Sequence, residues 1–417
     1  MSAVAVAPPK SAVVVGAGMV GLATAWHLQE HGVEVTVLDK AGVASGSSWG
    51  NAGWLTPGMA MPLSDPSVWS YGPKALLDPN APLHVPFRVD PKLWNFLLRF
   101  VSRGTQRAWD RTMAALTPID RIALESFDQL GTGGVESLTH EGPFIIGFEH
   151  ERESHAFIHE LENVARHGQT VPLHRLDDPR SLAPQLSDRV STVFALEGQR
   201  FIEPGPYVAA LGRAVVARGA RIESAASVTS VTPQPGGGVV VGIDGGETVQ
   251  ADVAVLATGA WLPKLARAFG VRTLIQAGRG YSFSVPTEQP TKHPVYFPVQ
   301  RVACTPYEGR FRIAGTMEFR RPDEPFQPRR VEAILSAVRP LFTGMDLDDR
   351  QDEWVGSRPV TPDGLPVIGR TKAPGVYVAG GHGMWGIVLG PATGRLLAQQ
   401  IVTGEVPPEL RPFDPLR

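Results

Sequence analysis

Apolar and polar positions along the chain fall into a small number of rhythms. Ala12–Val15 is an unbroken apolar run, the pattern of a strand buried on both faces, and Val33–Leu38 repeats it. Between them Val20–Glu30 predicts a helix, with Gly32 placed as its left-handed cap. Ala251–Trp261 predicts a further buried strand ending in Ala-Thr-Gly. Gly375–Ile401 predicts a strand, a glycine-rich turn and a helix. Phe201–Glu223 predicts a turn, a helix over Pro204–Ala217 and a strand. Leu274–Val285, Val295–Thr305 and Arg310–Met317 carry the β-branched and aromatic content of strands, and should form a sheet that roofs a functional site.

Two segments invite sharper readings. Asp90–Trp109 is apolar, aromatic and basic, so it predicts a helix packed on its own domain or resting on a membrane surface. His155 and His159 stand four apart and could share a metal, but charges of both signs around them suit a solvated helix better.

Composition narrows the class. The chain has 417 residues, 43% of them hydrophobic and 19% charged, which suits a globular enzyme of two intertwined domains. A formal net charge of −2 gives no long-range field for nucleic acid. Cys304 is the single cysteine, which excludes an internal disulfide and fits a reducing cytoplasm. The N-terminus lacks a basic region followed by a long apolar one, so no signal peptide is expected.

The chemistry begins at Gly16-x-Gly18-x-x-Gly21, placed between the first strand and the first helix. Gly16 permits the tight turn, Gly18 lets the backbone approach a pyrophosphate, and Gly21 allows helix and strand to pack closely. The helix N-terminus faces the pyrophosphate, and Asp39 ends the second strand where a ribose hydroxyl would need an acceptor. Instead of further strand–helix units, the chain enters a Gly/Ser-rich loop, Ala41–Leu63, whose Ser47, Ser48 and backbone N–H groups can follow a phosphate and then a flat ring. A nucleotide fold that returns to its ligand from three remote segments suggests a long, two-headed ligand. FAD fits, with adenosine at the N-terminal motif and isoalloxazine at the C-terminal one.

The stretches VVVGAGMVGLATAWHL, SSWGNAGWLTPG, LATGAW, GSRPVTPDGLPVIG and GHGMWGIVLGPATG, in that order, resemble the D-amino-acid oxidase family of flavoproteins, most of all its bacterial D-amino-acid dehydrogenases, with glycine oxidase as a close relative. The resemblance implies an α/β fold in which an FAD-binding Rossmann-like domain (1–56, 198–268, 352–417) interleaves with a smaller α+β substrate domain (57–197, 269–351). It places Gly16, Gly18, Met19, Val20, Gly21, Asp39 and Lys40 at the cofactor's adenosine and pyrophosphate. Ser47, Ser48, Asn51, Ala52, Gly53, Trp54 and Leu55 follow, with Val228 at the adenine and Thr258, Gly259 and Trp261 nearby. The flavin end falls to Gly381, His382, Gly383, Met384, Trp385, Gly386, Ile387 and Val388.

The resemblance also makes Arg358 the bidentate anchor of a substrate carboxylate, a geometry that a planar guanidinium supplies by itself. The alternative for Arg358 is a structural salt bridge to Asp352 or Glu353. Met317, Tyr281, Tyr296 and Trp385 are expected along the substrate wall. His382 shapes the flavin loop rather than serving as an obligatory base, and the helix after it should bring its positive end to the ring. The implied reaction is oxidation of a small amino acid at the Cα–N bond, with hydride passed to the flavin. Electrons then go to a quinone, an electron-transfer protein or oxygen. An oxidase of glycine, sarcosine, proline or hydroxyproline, or a non-catalytic flavin-binding subunit, remains open. The expected location is the cytoplasm, with possible peripheral membrane contact.

Overall fold

Both ends of the chain meet in one sheet. The computed structural model describes residues 8–307 and 309–417. Its first sheet has six strands, in the order Arg221–Glu223, Glu34–Leu38, Ser11–Val15, Val253–Leu256, Val376–Gly380 and Val367–Arg370. The first five run parallel and only the last is antiparallel. Parallel neighbours need long crossovers, which is why strands distant in sequence lie side by side here. Their apolar runs are buried on both faces, from Val13 and Val14 to Val255 and Val378. Helices Met19–Glu30 and Gly390–Thr403 cover one face. Gly394 lets them touch, because a Cβ there would come within 2.5 Å of the Ala23 backbone. On the other face the short antiparallel sheet Val228–Pro233, Val239–Ile243 and Thr248–Ala251 joins the core.

A second sheet has nine strands. Its main path runs Gln351–Val360, Gln276–Val285, Arg310–Phe319, Val302–Tyr307, Val295–Phe297, Phe144–Phe148, Thr192–Leu196 and Leu173–Arg175, with Leu83–His84 pairing beside Arg310–Phe319. One face buries Tyr281, Phe283, Cys304 and Ile313 under helix Pro328–Val338. The opposite face, which carries Gly280, Ala303, Tyr296 and Ile146, is turned toward the first sheet's ligand side; we call it the site face.

Three expectations change. Val295–Thr305 is a hairpin, not one strand: Arg301, at φ +53°, turns the chain between Val295–Phe297 and Val302–Tyr307. Asp90–Trp109 breaks at Arg103–Thr105 into helices Pro91–Ser102 and Gln106–Arg121, each with a side-chain N-cap. The first packs Phe96 and Phe100 on Phe319 and leaves Leu98 exposed. Residues 352–360, grouped above with the cofactor segments, pair with Gln276–Val285 as the edge of the nine-stranded sheet. Among the described residues no helix is long and apolar enough to cross a membrane. His155 and His159 are exposed on helix Glu151–Arg166.

Candidate functional site

A cavity of about 620 Å³ lies at the ligand side of the six-stranded sheet, within the size range of small-molecule and cofactor sites. Its first end is the Gly16–Gly21 turn. Gly16 has φ +116°, and a Cβ there would stand 2.4 Å from the Ala257 carbonyl oxygen. Gly18, Met19 and Val20 border the cavity, and the Met19 N–H donates to Ser48 Oγ at 3.2 Å. Gly21 does not border it. Its bare Cα packs on the Gly16 carbonyl, where a Cβ would sit at 1.9 Å, so its role is helix–strand contact. Asp39 borders the cavity and already accepts three backbone N–H groups, from Ala17 and Ala41 at 2.8 Å and Gly42 at 2.9 Å. A carboxylate has about four acceptor positions, so one remains for a ligand hydroxyl. Lys40 lies 3.6 Å over the Trp261 ring and pairs with Asp323 at 3.5 Å, which closes this end from outside.

Val228, Thr258, Gly259, Trp261, Ser47, Ser48 and Asn51 line the middle of the cavity. Ala52, Gly53, Trp54 and Leu55 turn out of it. Gly53 (φ +78°) reverses the chain, Trp54–Leu55 pairs with Arg200–Phe201, and the Trp54 indole donates to Thr305 Oγ1 at 2.9 Å.

The far end is built by His382, Gly383, Met384, Gly386 and Ile387. His382 is buried, its Nε2 is 2.9 Å from Thr393 Oγ1, and desolvation lowers its pKa to about 4. The ring is therefore neutral near pH 7. Gly381 instead packs on Thr361 and Val367, and Val388 lies in the core. Trp385 is directed elsewhere too, donating to the Met61 carbonyl at 2.7 Å. The following helix starts only at Gly390, so turn residues 382–384, 386 and 387, rather than helix N–H groups, face the cavity.

Arg358 reaches the same cavity from the edge strand of the nine-stranded sheet. Its guanidinium lies on Gly280, and a Cβ there would be 2.1 Å from Cζ. Among the described residues it has no hydrogen-bond or ion-pair partner. Asp352 bonds Ser284 Oγ at 2.8 Å and Glu353 pairs with Arg350 at 3.3 Å, so neither neutralises it. Desolvation lowers its pKa to about 10, which leaves it fully cationic at neutral pH. A deep, unpaired cation bordering a cavity can receive an anion.

Met317 stands beside this cation, its sulfur over Gly278. Tyr281 corrects the expected wall. Side chains alternate along a strand, and Tyr281 falls on the far face, where its hydroxyl donates to Glu318 Oε1 at 2.5 Å. Tyr296 is on the site face but three strands from Gly280. Residues the sequence did not single out as cavity lining also border it: Leu38 and Ala257, at the ends of the two strands that flank Ser11–Val15, and Lys264 beyond Trp261. The strand ends could have been found from the ligand side of a parallel sheet; Lys264 carried no signal.

The residues present fit FAD. A Cβ at Gly16 would collide with the Ala257 carbonyl and break the turn, the helix start faces the cavity, and three remote segments close one elongated space. Relatives point the same way. The chain is 28% identical over 406 residues to a D-amino acid dehydrogenase of Cereibacter sphaeroides, covering 95% of this chain and 92% of that one. It is 28% identical to a D-amino acid dehydrogenase of Vibrio vulnificus, covering 94% and 96%. Glycine oxidase from Geobacillus kaustophilus shares the fold over 99% of both chains, with a TM-score of 0.72 and 23% identity. L-proline dehydrogenase from P. horikoshii does so with a TM-score of 0.68 and 18% identity. Residues 11–400 match the DAO family of FAD dependent oxidoreductases; the chain belongs to that family and is a flavin-dependent enzyme.

Proposed function

We propose that this protein oxidises an amino acid, in the reading we favour a D-amino acid, at its Cα–N bond. One observation carries the proposal: the unpaired, deeply set guanidinium of Arg358 opens onto the cavity that begins at Gly16 and Gly18. Two parallel N–H···O bonds from that planar cation to a carboxylate would fix both position and orientation of the substrate. The relatives' name, D-amino acid dehydrogenase, supports the substrate class and an acceptor other than oxygen, such as a quinone.

Bound FAD supplies the hydride acceptor. The protein's share is positional. Arg358 holds the carboxylate, Met317 and Gly280 bound it on the sheet side, and the neutral His382 keeps the turn 382–387 in place through Thr393. No side chain is asked to remove the α-proton, since carbon loses it with its electron pair as hydride. The imine that results takes up water and releases ammonia and a 2-oxo acid. The segments 1–56, 198–268 and 352–417 would form the cofactor-binding unit, apart from the edge strand noted above.

Anaerobic addition of D- and L-amino acids, glycine, sarcosine and proline to the yellow holoprotein tests this. Bleaching of the flavin by at least one is expected. Arg358→Lys should keep the flavin and lose roughly 10- to 100-fold in kcat/KM, the worth of one charged hydrogen bond. Unchanged kcat/KM in that variant would refute the role of Arg358.

A further inference from the structure

Helix Val68–Leu77 and helix Pro91–Ser102 share one apolar cluster with Phe319 of the nine-stranded sheet. Between them lies a second cavity, of about 220 Å³, apart from the one that Arg358 borders. Its lining is apolar and aromatic. Phe100 and Phe319 are buried, Trp94 and Val101 half-buried, and Leu76 and Leu98 exposed, Leu98 at 72%. The cavity therefore opens to the outside between Leu76 and Leu98. The Phe87 ring, 84% exposed, stands 6.0 Å from that of Trp94 and extends the mouth.

Half of the large exposed apolar side chains among the described residues belong to this one region: Trp69, Leu76, Leu77, Phe87, Val89 and Leu98. On helix Val68–Leu77 they fall at i, i+7 and i+8, a single stripe. Exposed apolar surface gathered in this way marks an interaction site. The charges around it have one sign. Between residues 66 and 107 the exposed charged side chains are Lys74, Lys92, Arg99, Arg103 and Arg107. The acids of that stretch are half-buried and already engaged: Asp78 accepts the Asn80 N–H at 2.8 Å, and Asp90 accepts the Lys92 N–H at 3.1 Å and lies 3.6 Å from Arg321. A chain of formal net charge −2 thus carries a face that is locally cationic and apolar.

We propose that this face rests on an anionic lipid bilayer. Leu76, Phe87 and Leu98 enter among the acyl chains, and Lys74, Lys92 and Arg99 reach the headgroup phosphates. Exposed apolar residues bordered by cations are the surface of a helix lying in the membrane interface. Trp69 suits the boundary: its indole N–H donates to the Gly104 carbonyl at 2.9 Å, and its ring, 63% exposed, is free to lie at headgroup level. A second copy of this chain fits less well, because a two-fold pairing would lay these cations against their own equivalents.

Cosedimentation of the flavin-loaded protein with vesicles tests this, using phosphatidylcholine alone and phosphatidylcholine mixed with phosphatidylglycerol. Binding to the mixed vesicles is expected, at least about tenfold tighter than to the neutral ones and weakened by salt. Leu98→Asp should weaken it by about tenfold or more. Lys92→Gln and Arg99→Gln should each weaken it by about fivefold. All three residues are exposed and away from the Arg358 cavity, so the flavin content of these variants should not change. Failure to sediment with the mixed vesicles, equal binding to the neutral ones, or binding that survives Leu98→Asp overturns the proposal. So does a dimer in light scattering that Leu98→Asp dissociates, since a second copy would then cover the face.

Discussion

The guanidinium of Arg358 rests on the bare Cα of Gly280: a Cβ on that glycine would stand 2.1 Å from Cζ and 2.2 Å from one Nη. Two adjacent strands thus cooperate to place one cation, the edge strand supplying it and its neighbour leaving room for it. Gly280→Ala should push the guanidinium toward the cavity by more than an ångström. Misplacement on that scale costs on the order of a hundredfold in an oriented reaction. We expect a large rise in KM with the flavin spectrum intact, read by steady-state kinetics on the holoprotein. The fold should tolerate the change, because the displaced side chain has a cavity to enter.

Gly16 makes a different demand. Its φ is +116°, and the Ala257 carbonyl oxygen lies 2.4 Å from the place a Cβ would take, so no side chain has room there. Gly16→Ala should cost about 1–3 kcal/mol of stability through backbone strain and should lose FAD on gel filtration. Retention of a full complement of flavin would show that the turn does not form the cofactor cradle.

His382 bears on the pH profile. Desolvation holds its pKa at about 4, so it does not ionise between pH 5.5 and 9. Any limb of kcat/KM in that range should persist in His382→Asn, even where the variant turns over more slowly. Disappearance of a limb with the imidazole would make His382 a proton-transfer group after all.

His27 sets a stability slope. It lies buried in helix Met19–Glu30, its pKa lowered to about 3 by burial first and then by Arg395, His31 and Arg218. Unfolded, it titrates near its ordinary 6.5. Below that value the unfolded chain binds a proton that the folded chain refuses, so stability falls as pH drops from about 6.5 toward 3. Substituting His27→Gln should flatten the melting temperature's dependence on pH in this window. An unchanged slope would mean that the ring is protonated in the folded state.

Much of the cofactor end was legible in the chain because its demands are local. Gly16 and Gly18 are required by the backbone they stand in, and the strand before them is buried on both faces, so a run of apolar residues and a glycine spacing suffice. The place of Arg358 at the cavity edge was legible too, because Pro359 and the Pro362-Asp363-Gly364 turn that follow it mark a rigid frame. The emptiness around that arginine was not legible. Asp352 and Glu353 are its close neighbours in sequence, and only their capture by Ser284 and Arg350 leaves the guanidinium without a counter-charge.

The wall proposed for the substrate depends on register, which no single strand carries in its own sequence. Thr316, at φ +45°, is an extra residue opposite Gly280 and Tyr281, and the bulge it makes brings both Ala314 and Met317 to the site face although they are an odd number apart. Tyr281, one place from Gly280, is turned to the far core by the ordinary alternation. Which elements form, and where a phosphate can approach, followed from the chain's own period and glycines. Which side chains meet across the cavity was decided by strand pairing, because one residue of slip exchanges the two faces of a sheet.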